Sequence, residues 1–573
     1  MAGGGDVNEH SMIRRFTIGL IIVVVSACGG GGGGGSAAPP PVPPPPAPPP
    51  PATIEELNAA SRFAAFATFG LDYAAIDALA LQGHENWLED QFLEPVGEHS
   101  SIVLNLNERR NLGEFADYED DIELLVSFRR YAWWHRTMTS PDVLRQRVAF
   151  ALSEIFVVSD NVDALIINPF AMSNYYDMLL THAFGNFRDL LRAVTLHPSM
   201  GVYLSHVNNG KADPQNNTFP DENYAREVMQ LFSIGLFELE LDGTQKLDGD
   251  GNPIPTYGNP DIREFAKIYT GMSYGGPGSY FGNPQPNYVT EMQMFDEFHQ
   301  PGEKQLLNGF VVPDGQTGMQ DVESGIDNLF NHPNAGPFFG KQLIQRLVTS
   351  NPSPAYIERV ALAFEGAATG VRGDMKDVLR AVLFDPEATA TPDPTTDFGK
   401  LREPLVRAVA MLRQLNATSS DGNFFNSGFF LQFAIAQAPL SSPSVFNFFL
   451  PAHTPTGEIA QAGLVAPEFQ ITTTTTVVNI TNIVDYAVNG EFLMDAPSPP
   501  FGEVSFDFTE FVELADDVDV LIDRLDIVLT YGTLSDETRS AIRDVINDVA
   551  DLQFRAQTAI YLFLISPDYA VRV

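Results

Sequence analysis

The residues best suited to acid–base chemistry lie in one short stretch, PDENYAREVMQLFSIGL, at positions 220–236. If this stretch is a helix with about 100° per residue, Glu222, Asn223, Arg226 and Glu227 share one face, and apolar residues occupy the other. Glu222 and Arg226 also have the spacing of a stabilising surface ion pair, which explains them without a function. We predict Glu222 and Glu227 as acid–base groups, and Asn223 and Arg226 as ligand-binding groups.

Two polar loops carry further candidates. His299 and Lys304 belong to HQPGEK, and a histidine near carboxylates can act as an acid or base near neutral pH. The structural alternative is a loop histidine that bonds a backbone carbonyl. His206 and Lys211 belong to SHVNNGK, which leads toward the charged stretch. We predict His299 as a third acid–base group, and His206, Lys211 and Lys304 as binding groups in a shared pocket.

Other patterns narrow the chemistry. The sequence contains neither a P-loop nor H-E-x-x-H. Asp248, Asp250 and Asn252 alternate as calcium ligands do, but the glycine and glutamate of an EF-hand are out of place, so a hairpin turn is the better interpretation. Carboxylate, histidine or lysine chemistry in a helical cleft remains, or a binding site that uses the same groups. The sequence specifies no metal and no cofactor.

The elements that must position these residues are mostly helices. Segments such as RQRVAFALSEIFVVS and FRDLLRAVTLH place apolar residues three and four positions apart. Strand patterns are few, and the clearest is the alternation of FELEL at 237–241, followed by turn-forming Asp-Gly steps. We predict a mainly α fold: one large multi-helix domain over residues 53–573 with a small inserted β-ribbon. A looser segment at about 472–508 is the most plausible internal boundary.

The N-terminus predicts export and lipidation. Two arginines precede an apolar run that ends in VSAC, which resembles a bacterial lipobox, and Cys28 is the single cysteine of the chain. We predict a signal peptide at 1–27, lipidation of Cys28, and a Gly/Pro-rich tether at 28–52 in which eleven of the thirteen positions 39–51 are proline. Gly29, where an aspartate would retain the protein at the inner membrane, favours the outer membrane.

Charge excludes one class of partner. The chain has 33 basic and 73 acidic residues, a net charge of −40. Such a protein repels phosphate backbones, so we expect no nucleic-acid partner and attribute membrane association to the lipid anchor alone.

The order of several motifs resembles one bacterial family, the domain-of-unknown-function family 1800. The motifs are RFAAFATFG, RQRVAFALSEIFVVS, FRDLLRAVTLHPSMGVYLS, PDENYAREVMQLFSIGL, DIREFAKIYTGM, FHQPGEKQLL and NHPNAGPFFGKQLIQRLV. The resemblance implies an exported protein of uncharacterised activity, and a possible partner in a second exported family, numbered 1501, that resembles sulfatases. Many members have W-H-x-H-F where this chain has Ser153 and Ile155, so a metal role for that histidine pair does not carry over.

Two functions fit these observations. The first is a cell-envelope accessory or binding protein that works with an exported partner on an extracellular polymer such as a polysaccharide. The second is an acid–base hydrolase or lyase that acts on a polysaccharide through Glu222, Glu227 and His299.

The lipobox yields the first testable prediction. We expect cells that are fed a fatty-acid probe to label the wild-type protein and not Cys28→Ser, because the chain has no other thiol. Equal labelling of both proteins would contradict the prediction.

Overall fold

The computed structural model describes residues 50–116, 121–391, 393, 396–425, 434–490 and 502–573. Residues Pro51–Val573 form one compact unit. The predicted signal peptide, Cys28 and most of the tether lie outside the described residues. No helix in the described ranges is long and apolar enough to cross a membrane.

The N-terminal part of the unit contains α1 (Ile54–Ala67), α2 (Tyr73–Gln82), α3 (His84–Leu93), α4 (Ser100–Asn111), α5 (Asp121–Thr139), α6 (Val143–Ser153), α7 (Asp163–Ile166), α8 (Pro169–His182), α9 (Phe187–Leu196) and α10 (Pro198–Tyr203). Thr53 begins α1 with a capping box: its hydroxyl accepts from the Glu56 amide at 3.3 Å, and Glu56 accepts from the Thr53 amide at 2.8 Å. These reciprocal bonds satisfy donors that every helix start leaves free.

The central part contains α11 (Asn223–Glu227), α12 (Asn259–Ile268), α13 (Gly318–Phe330), α14 (Ala335–Leu347), α15 (Pro354–Phe364), α16 (Met375–Leu383), α17 (Pro386–Thr389) and α18 (Pro404–Gln414). The C-terminal part contains α19 (Glu458–Gln461), α20 (Thr474–Asn489), α21 (Thr509–Leu514), α22 (Val518–Leu525), α23 (Asp536–Ile546), α24 (Leu552–Ile565) and α25 (Pro567–Ala570). The predicted mainly α fold is therefore confirmed.

The β-structure consists of short antiparallel pairs: β1 (Met272–Ser273) with β2 (Gln293–Met294), β3 (Lys304–Gln305) with β4 (Val311–Val312), β5 (Lys400–Leu401) with β8 (Val571–Arg572), and β6 (Ala417–Ser419) with β7 (Val504–Phe506). The predicted β-ribbon after residue 236 consists of isolated antiparallel bridges, Phe237↔Pro255, Leu239↔Gln245 and Leu247↔Pro253. In its turn, the Asp248 carboxylate accepts from the amides of Asp250 and Asn252, each at 2.9 Å, so these residues form a hairpin turn.

The charged stretch is not one continuous α-helix. α11 begins at Asn223, and after Glu227 the backbone continues as a π-helix over Val228–Ser233. A π-helix has more residues per turn, so the 100° spacing fails beyond Glu227. Such bulges occur often at functional sites.

Aromatic side chains from distant segments meet in the core. Phe187 of α9 packs on Phe339 of α14 with ring centroids 4.5 Å apart, and Phe364 of α15 contacts both rings. Phe156 joins the cluster from the loop after α6. All four rings are fully buried, so the cluster couples the N-terminal and central helices by burial of apolar surface.

Arginines that are distant in sequence cap the C-terminal turns of four helices. Arg572 donates to Ala65 O at the end of α1 at 2.5 Å, and to Leu347 O and Val348 O at the end of α14 at 2.6 and 2.7 Å. Arg147 also reaches the end of α14, where it donates to Arg346 O at 2.7 Å. The last carbonyl groups of a helix have no partner within it, so these guanidinium groups supply the missing donors.

Two other buried arginines repeat the arrangement. Arg413 donates to Thr137 O at 2.7 Å and to Met138 O at 3.1 Å, in the last turn of α5. Arg145 donates to Leu180 O at 3.0 Å, near the end of α8. Helices that end in the interior are therefore joined to other elements through side-chain donors.

We expect Arg572→Met to lower the free energy of unfolding by roughly 3 kcal/mol or more, because it leaves three buried carbonyl groups without donors, at about 1–3 kcal/mol each. Denaturation midpoints with urea measure the loss. The matched control is Arg543→Gln, which breaks a surface pair with Asp519 in which the side chains are 46% and 62% exposed. That change should cost less than about 1 kcal/mol. Similar losses in the two variants would show that the carbonyl bonds of Arg572 contribute little.

Candidate functional site

The structure places the three predicted segments beside one another. The Asn209 side chain accepts from the Asp221 amide at 2.9 Å, which connects the 206–211 loop to the segment that enters α11. The Lys211 amide donates to Phe298 O at 2.8 Å, which connects the same loop to the segment before His299. The middle loop therefore contacts the other two segments, mainly through backbone groups.

His299 is part of a closed buried network. Its Nε2 lies 2.9 Å from Asp321 Oδ2, and its Nδ1 lies 2.9 Å from Thr270 O. Lys304 Nζ donates to the same Asp321 oxygen at 2.5 Å, and Gln316 donates to the other oxygen. Burial would raise the pKa of Asp321, but the bonds from Lys304, Gln316 and His299 outweigh it and lower the pKa below its ordinary value. Both ring nitrogens of His299 have internal partners, an arrangement that stabilises the loop.

His206 is also held internally. It is 1% exposed, stacks on Tyr224 with ring centroids 3.9 Å apart, and places Nε2 2.9 Å from Thr195 O. Burial lowers its pKa to about 4, so the ring is neutral near pH 7. Its Nδ1 has no hydrogen-bond partner among the described residues.

The other predicted binding groups lie at the surface. Asn223 is exposed, and Glu222 and Arg226 form the expected i, i+4 pair at 3.3 Å with side chains 40% and 41% exposed. Exposed Lys211 donates from Nζ to Glu297 O at 2.6 Å. These four side chains are accessible to a ligand.

Glu227 differs from the other candidates because it is a buried carboxyl group with incomplete hydrogen bonding. It is 6% exposed, and its Oε2 has no hydrogen-bond partner in the described part of the chain. Burial raises its pKa, and the charge of Arg226 offsets only part of the effect. Its charge contributes to the raised pKa of two tyrosines, Tyr203 and Tyr257, so both lie near it. A carboxyl group in this state is typical of functional positions.

A second carboxyl site was missed in the sequence. Glu154, at the end of α6, and Glu403, before α18, are 5% and 0% exposed and interact with each other. Burial and the charge of Glu403 raise the pKa of Glu154 to about 8. Burial acts on Glu403 too, but Lys400, Arg147 and Arg346 outweigh it and lower its pKa. The surroundings therefore shift the pKa values of the two carboxyl groups in opposite directions, the arrangement that separates an acid from a base in a carboxyl pair.

The hydrogen bonds of the two carboxyl groups are consistent with a proton shared between them. Asn447 donates to Glu154 Oε1 at 3.1 Å, and Gln437 donates to Glu403 Oε2 at 2.8 Å. Neither of the two remaining oxygens, Glu154 Oε2 and Glu403 Oε1, has a donor within the described ranges. One proton held between the groups would satisfy both.

A small cavity of about 10 Å³, close to the space that one water molecule needs, adjoins Glu154 and is also lined by Ser153, Ser442 and Asn447. The loop that covers it contains three non-glycine residues in the left-handed region: Ala436 at φ 57°, Leu440 at φ 52° and Asn447 at φ 64°. This conformation is costly for alanine and leucine and recurs at functional sites.

Tyr203 connects the two carboxyl sites. Ser442, which lines the cavity beside Glu154, and Glu227 both influence the pKa of Tyr203, so Tyr203 lies near both of them. Burial, opposed by Ser442 and reinforced by the charge of Glu227, raises this pKa to about 12. The carboxyl groups of Glu154 and Glu227 therefore flank one polar region that contains Tyr203.

The pattern G-x-S-x-G also occurs, at residues 271–275, and it marks a nucleophile when the serine lies between a strand and a helix. Ser273 ends β1 with no helix after it, is fully buried, and donates to Asn208 Oδ1 at 2.6 Å. The motif therefore lacks the context of a nucleophile elbow.

A sequence signal for Glu154 does exist. Every residue of α6 after Val143 is buried, so a charged residue at the end of this helix enters an interior where ions must be paired or neutralised. The partner Glu403 lies far along the chain, and its proximity could not be predicted from one sequence. Among the described residues, no three His, Cys, Asp or Glu side chains are arranged to hold a metal ion.

Comparison with known proteins gives one match. The model of the family described as "Protein of unknown function (DUF1800)" matches residues 62–571. Searches of curated proteins and of solved structures found no match. Because the match covers nearly the whole compact unit that contains both carboxyl sites, the chain belongs to the DUF1800 family.

Proposed function

We propose that this protein is a cell-envelope lipoprotein whose folded unit binds a hydroxyl-rich extracellular polymer, such as a polysaccharide, together with an exported partner. The observation that carries the proposal is the buried Glu227 oxygen Oε2 without a hydrogen-bond partner in the described residues, together with the equally unpaired hydroxyl of Tyr257, on which the charge of Glu227 acts.

Glu227 offers a hydrogen-bond acceptor, and Tyr257 offers a hydrogen-bond donor, that no group in the described residues satisfies. The Tyr257 hydroxyl, like Glu227 Oε2, is buried without a hydrogen-bond partner among the described residues. Burial, together with the charge of Glu227, raises the pKa of Tyr257 to about 12, so it stays a donor at neutral pH. A ligand hydroxyl can donate to the carboxyl group and accept from the tyrosine. Buried polar groups without partners cost about 1–3 kcal/mol each, and a polyol that pairs with them removes this cost.

Aromatic side chains in and around the polar loops suit the flat apolar face of a sugar ring. Phe281 and Phe298 stack with centroids 4.1 Å apart, and the Phe298 carbonyl accepts from the Lys211 amide. Tyr280 and Phe219 are 55% and 66% exposed. Exposed aromatic groups beside polar loops are typical of interaction sites.

The net charge of the protein restricts the classes of polymer that it can bind. At a net charge of −40, the protein repels strongly sulfated or uronic-acid-rich chains at low salt. A neutral or amino-sugar polymer fits the surface better.

The N-terminal sequence supports the location. A lipidated Cys28 would hold the protein at the membrane, and a polyproline II tether over positions 39–51 would extend roughly 40 Å at ~3.1 Å per residue. The folded unit would then reach past the lipid headgroups to a polymer. An exported sulfatase-like protein of family 1501 is the proposed partner, on the basis of the resemblance alone.

We expect Glu227→Gln to retain its fold and to lose polymer binding at least tenfold. The change removes a buried charge without changing the shape, so the melting temperature should stay equal or rise. Retention on columns of immobilised neutral and amino-sugar polysaccharides, measured alongside thermal melting, tests this.

Glu89→Gln is the control for this experiment, because it makes the same change on an exposed carboxyl group that is paired with Arg380 and lies outside the three predicted segments. It should bind normally. Equal retention of the two variants would remove Glu227 from the proposed site.

An acid–base hydrolase or lyase is the second candidate, and the Glu154–Glu403 pair favours it. A proton-sharing pair beside a water-sized cavity has the groups that hydrolysis needs, an acid, a base and space for water. Glu227 lies on the other side of Tyr203 and is a further acid.

The shared proton predicts a pH dependence. Glu154 binds a proton up to about pH 8 in the folded state, whereas an unfolded glutamate releases it near its ordinary pKa of 4.5. The folded state therefore holds the extra proton between these values, and stability decreases as pH rises through this range. We expect wild-type protein to lose stability from pH 5 to pH 8 relative to Glu154→Gln, as measured by urea unfolding at each pH. Parallel pH profiles would show that Glu154 is ionised throughout.

For the hydrolase candidate itself, release of reducing ends from polysaccharides should occur with wild type and not with Glu154→Gln. Equal release by the two proteins would exclude this pair from catalysis.

A further inference from the structure

A separate cavity contains a cation without a partner. The cavity has a volume of about 670 Å³, and its walls include Arg62 and Phe66 of α1, Asn351 and Ser353 before α15, and Phe398 before β5. This volume is in the range of small-molecule sites. The cavity shares none of its lining residues with the region around Glu227 or with the cavity beside Glu154.

Arg62 has no hydrogen bond and no ion pair within the described ranges, although it is only partly exposed. Burial alone lowers its pKa, and no acidic group counteracts that effect. The pKa of nearby His84 is lowered by burial and by the charge of Arg62, so this histidine does not supply a negative charge either. Arg188, which is also partly buried, is by contrast paired with Glu323 and Asp327. The guanidinium of Arg62 is therefore available to an anion.

The walls are suited to a ligand that also has an apolar part. Phe66 lies one turn after Arg62 on the same helix face and is 3% exposed, so it is deeper in the wall. Phe398 and Leu464 add apolar surface, and Ser353 and Asn351 add polar groups. Arg62 can bind the charged end of a ligand whose apolar end contacts Phe66.

The acids of this wall limit the charge of the ligand. Glu387 is occupied, since it pairs with Arg359 at 3.1 Å and accepts from the Ser353 hydroxyl at 2.5 Å. Asp393 and Asp397 are exposed at the rim. One guanidinium near two rim carboxylates favours a single negative charge over a dianion such as a phosphate monoester.

We propose that this cavity is a binding site for a small amphipathic monocarboxylate, with Arg62 as its anchor. The proposal is independent of the polymer-binding site, because it uses other residues and another ligand class.

The test compares octanoate with octanamide, which has the same chain without the charge. The full chain carries Cys28→Ser to keep lipid off the protein, and binding is measured by calorimetry and by the shift in melting temperature at low salt. We expect octanoate to bind and raise the melting temperature, and octanamide to bind at least tenfold more weakly. Equal binding of the two compounds would overturn the proposal.

Two substitutions of Arg62, with Arg543→Gln as the control, test whether octanoate binds at Arg62. Arg62→Gln should reduce octanoate affinity at least tenfold, whereas Arg543→Gln, which removes a charge from a surface pair, should leave it unchanged. Arg62→Lys keeps the charge and should retain weakened binding, which covers the case in which the glutamine variant fails to fold. Unchanged octanoate affinity in Arg62→Lys and Arg62→Gln, or an equal loss in Arg543→Gln, would contradict the assignment of Arg62.

Discussion

Carbonyl groups at helix C-termini are the constraint on which this structure depends. Many of its helices are short, so a large share of their backbone groups lie in end turns, where a helix cannot satisfy its own acceptors. In the interior, water is not available to replace the missing donors. Arginine solves the problem at the ends of α1, α5, α8 and α14, because one guanidinium offers five N–H donors in a fixed plane. One of these side chains, Arg147, also acts with Lys400 and Arg346 to lower the pKa of Glu403, which stabilises its ionised form.

Carboxyl groups in this protein differ in state because their surroundings differ. Asp321 has a lysine, a glutamine and a histidine as donors and is ionised. Glu154 has the carboxyl group of Glu403 as its neighbour, and burial together with that charge raises its pKa. Glu227 has a free oxygen and two tyrosines nearby. A carboxyl group whose oxygens all have hydrogen-bond donors within the protein has a structural role. A carboxyl group with an oxygen that lacks a donor is available for a ligand or a proton. For this reason we place function at Glu227 and consider it at Glu154.

The sequence predicted what local patterns determine. Apolar spacing predicted the helices, and Asp-Gly steps predicted the hairpin turn at Asp248. Features that depend on distant contacts were not predictable: the π-helix after Glu227, the enclosure of His299 by Asp321, and the meeting of Glu154 with Glu403. The predicted looser segment at 472–508 contains the helix Thr474–Asn489 and the strand Val504–Phe506, and residues 491–501 of it lie outside the description.

The bonds of Arg572 also affect the order in which the chain can fold. Arg572 follows its partner Ala65 by 507 positions, so a ribosome makes the acceptor long before the donor. Until Arg572 emerges, the ends of α1 and α14 each have an unsatisfied carbonyl group, and β5 has no partner strand. An incomplete chain is therefore held back from the native state. For a protein that carries a predicted export signal, late completion of the fold would help to keep the chain unfolded until it has been translocated.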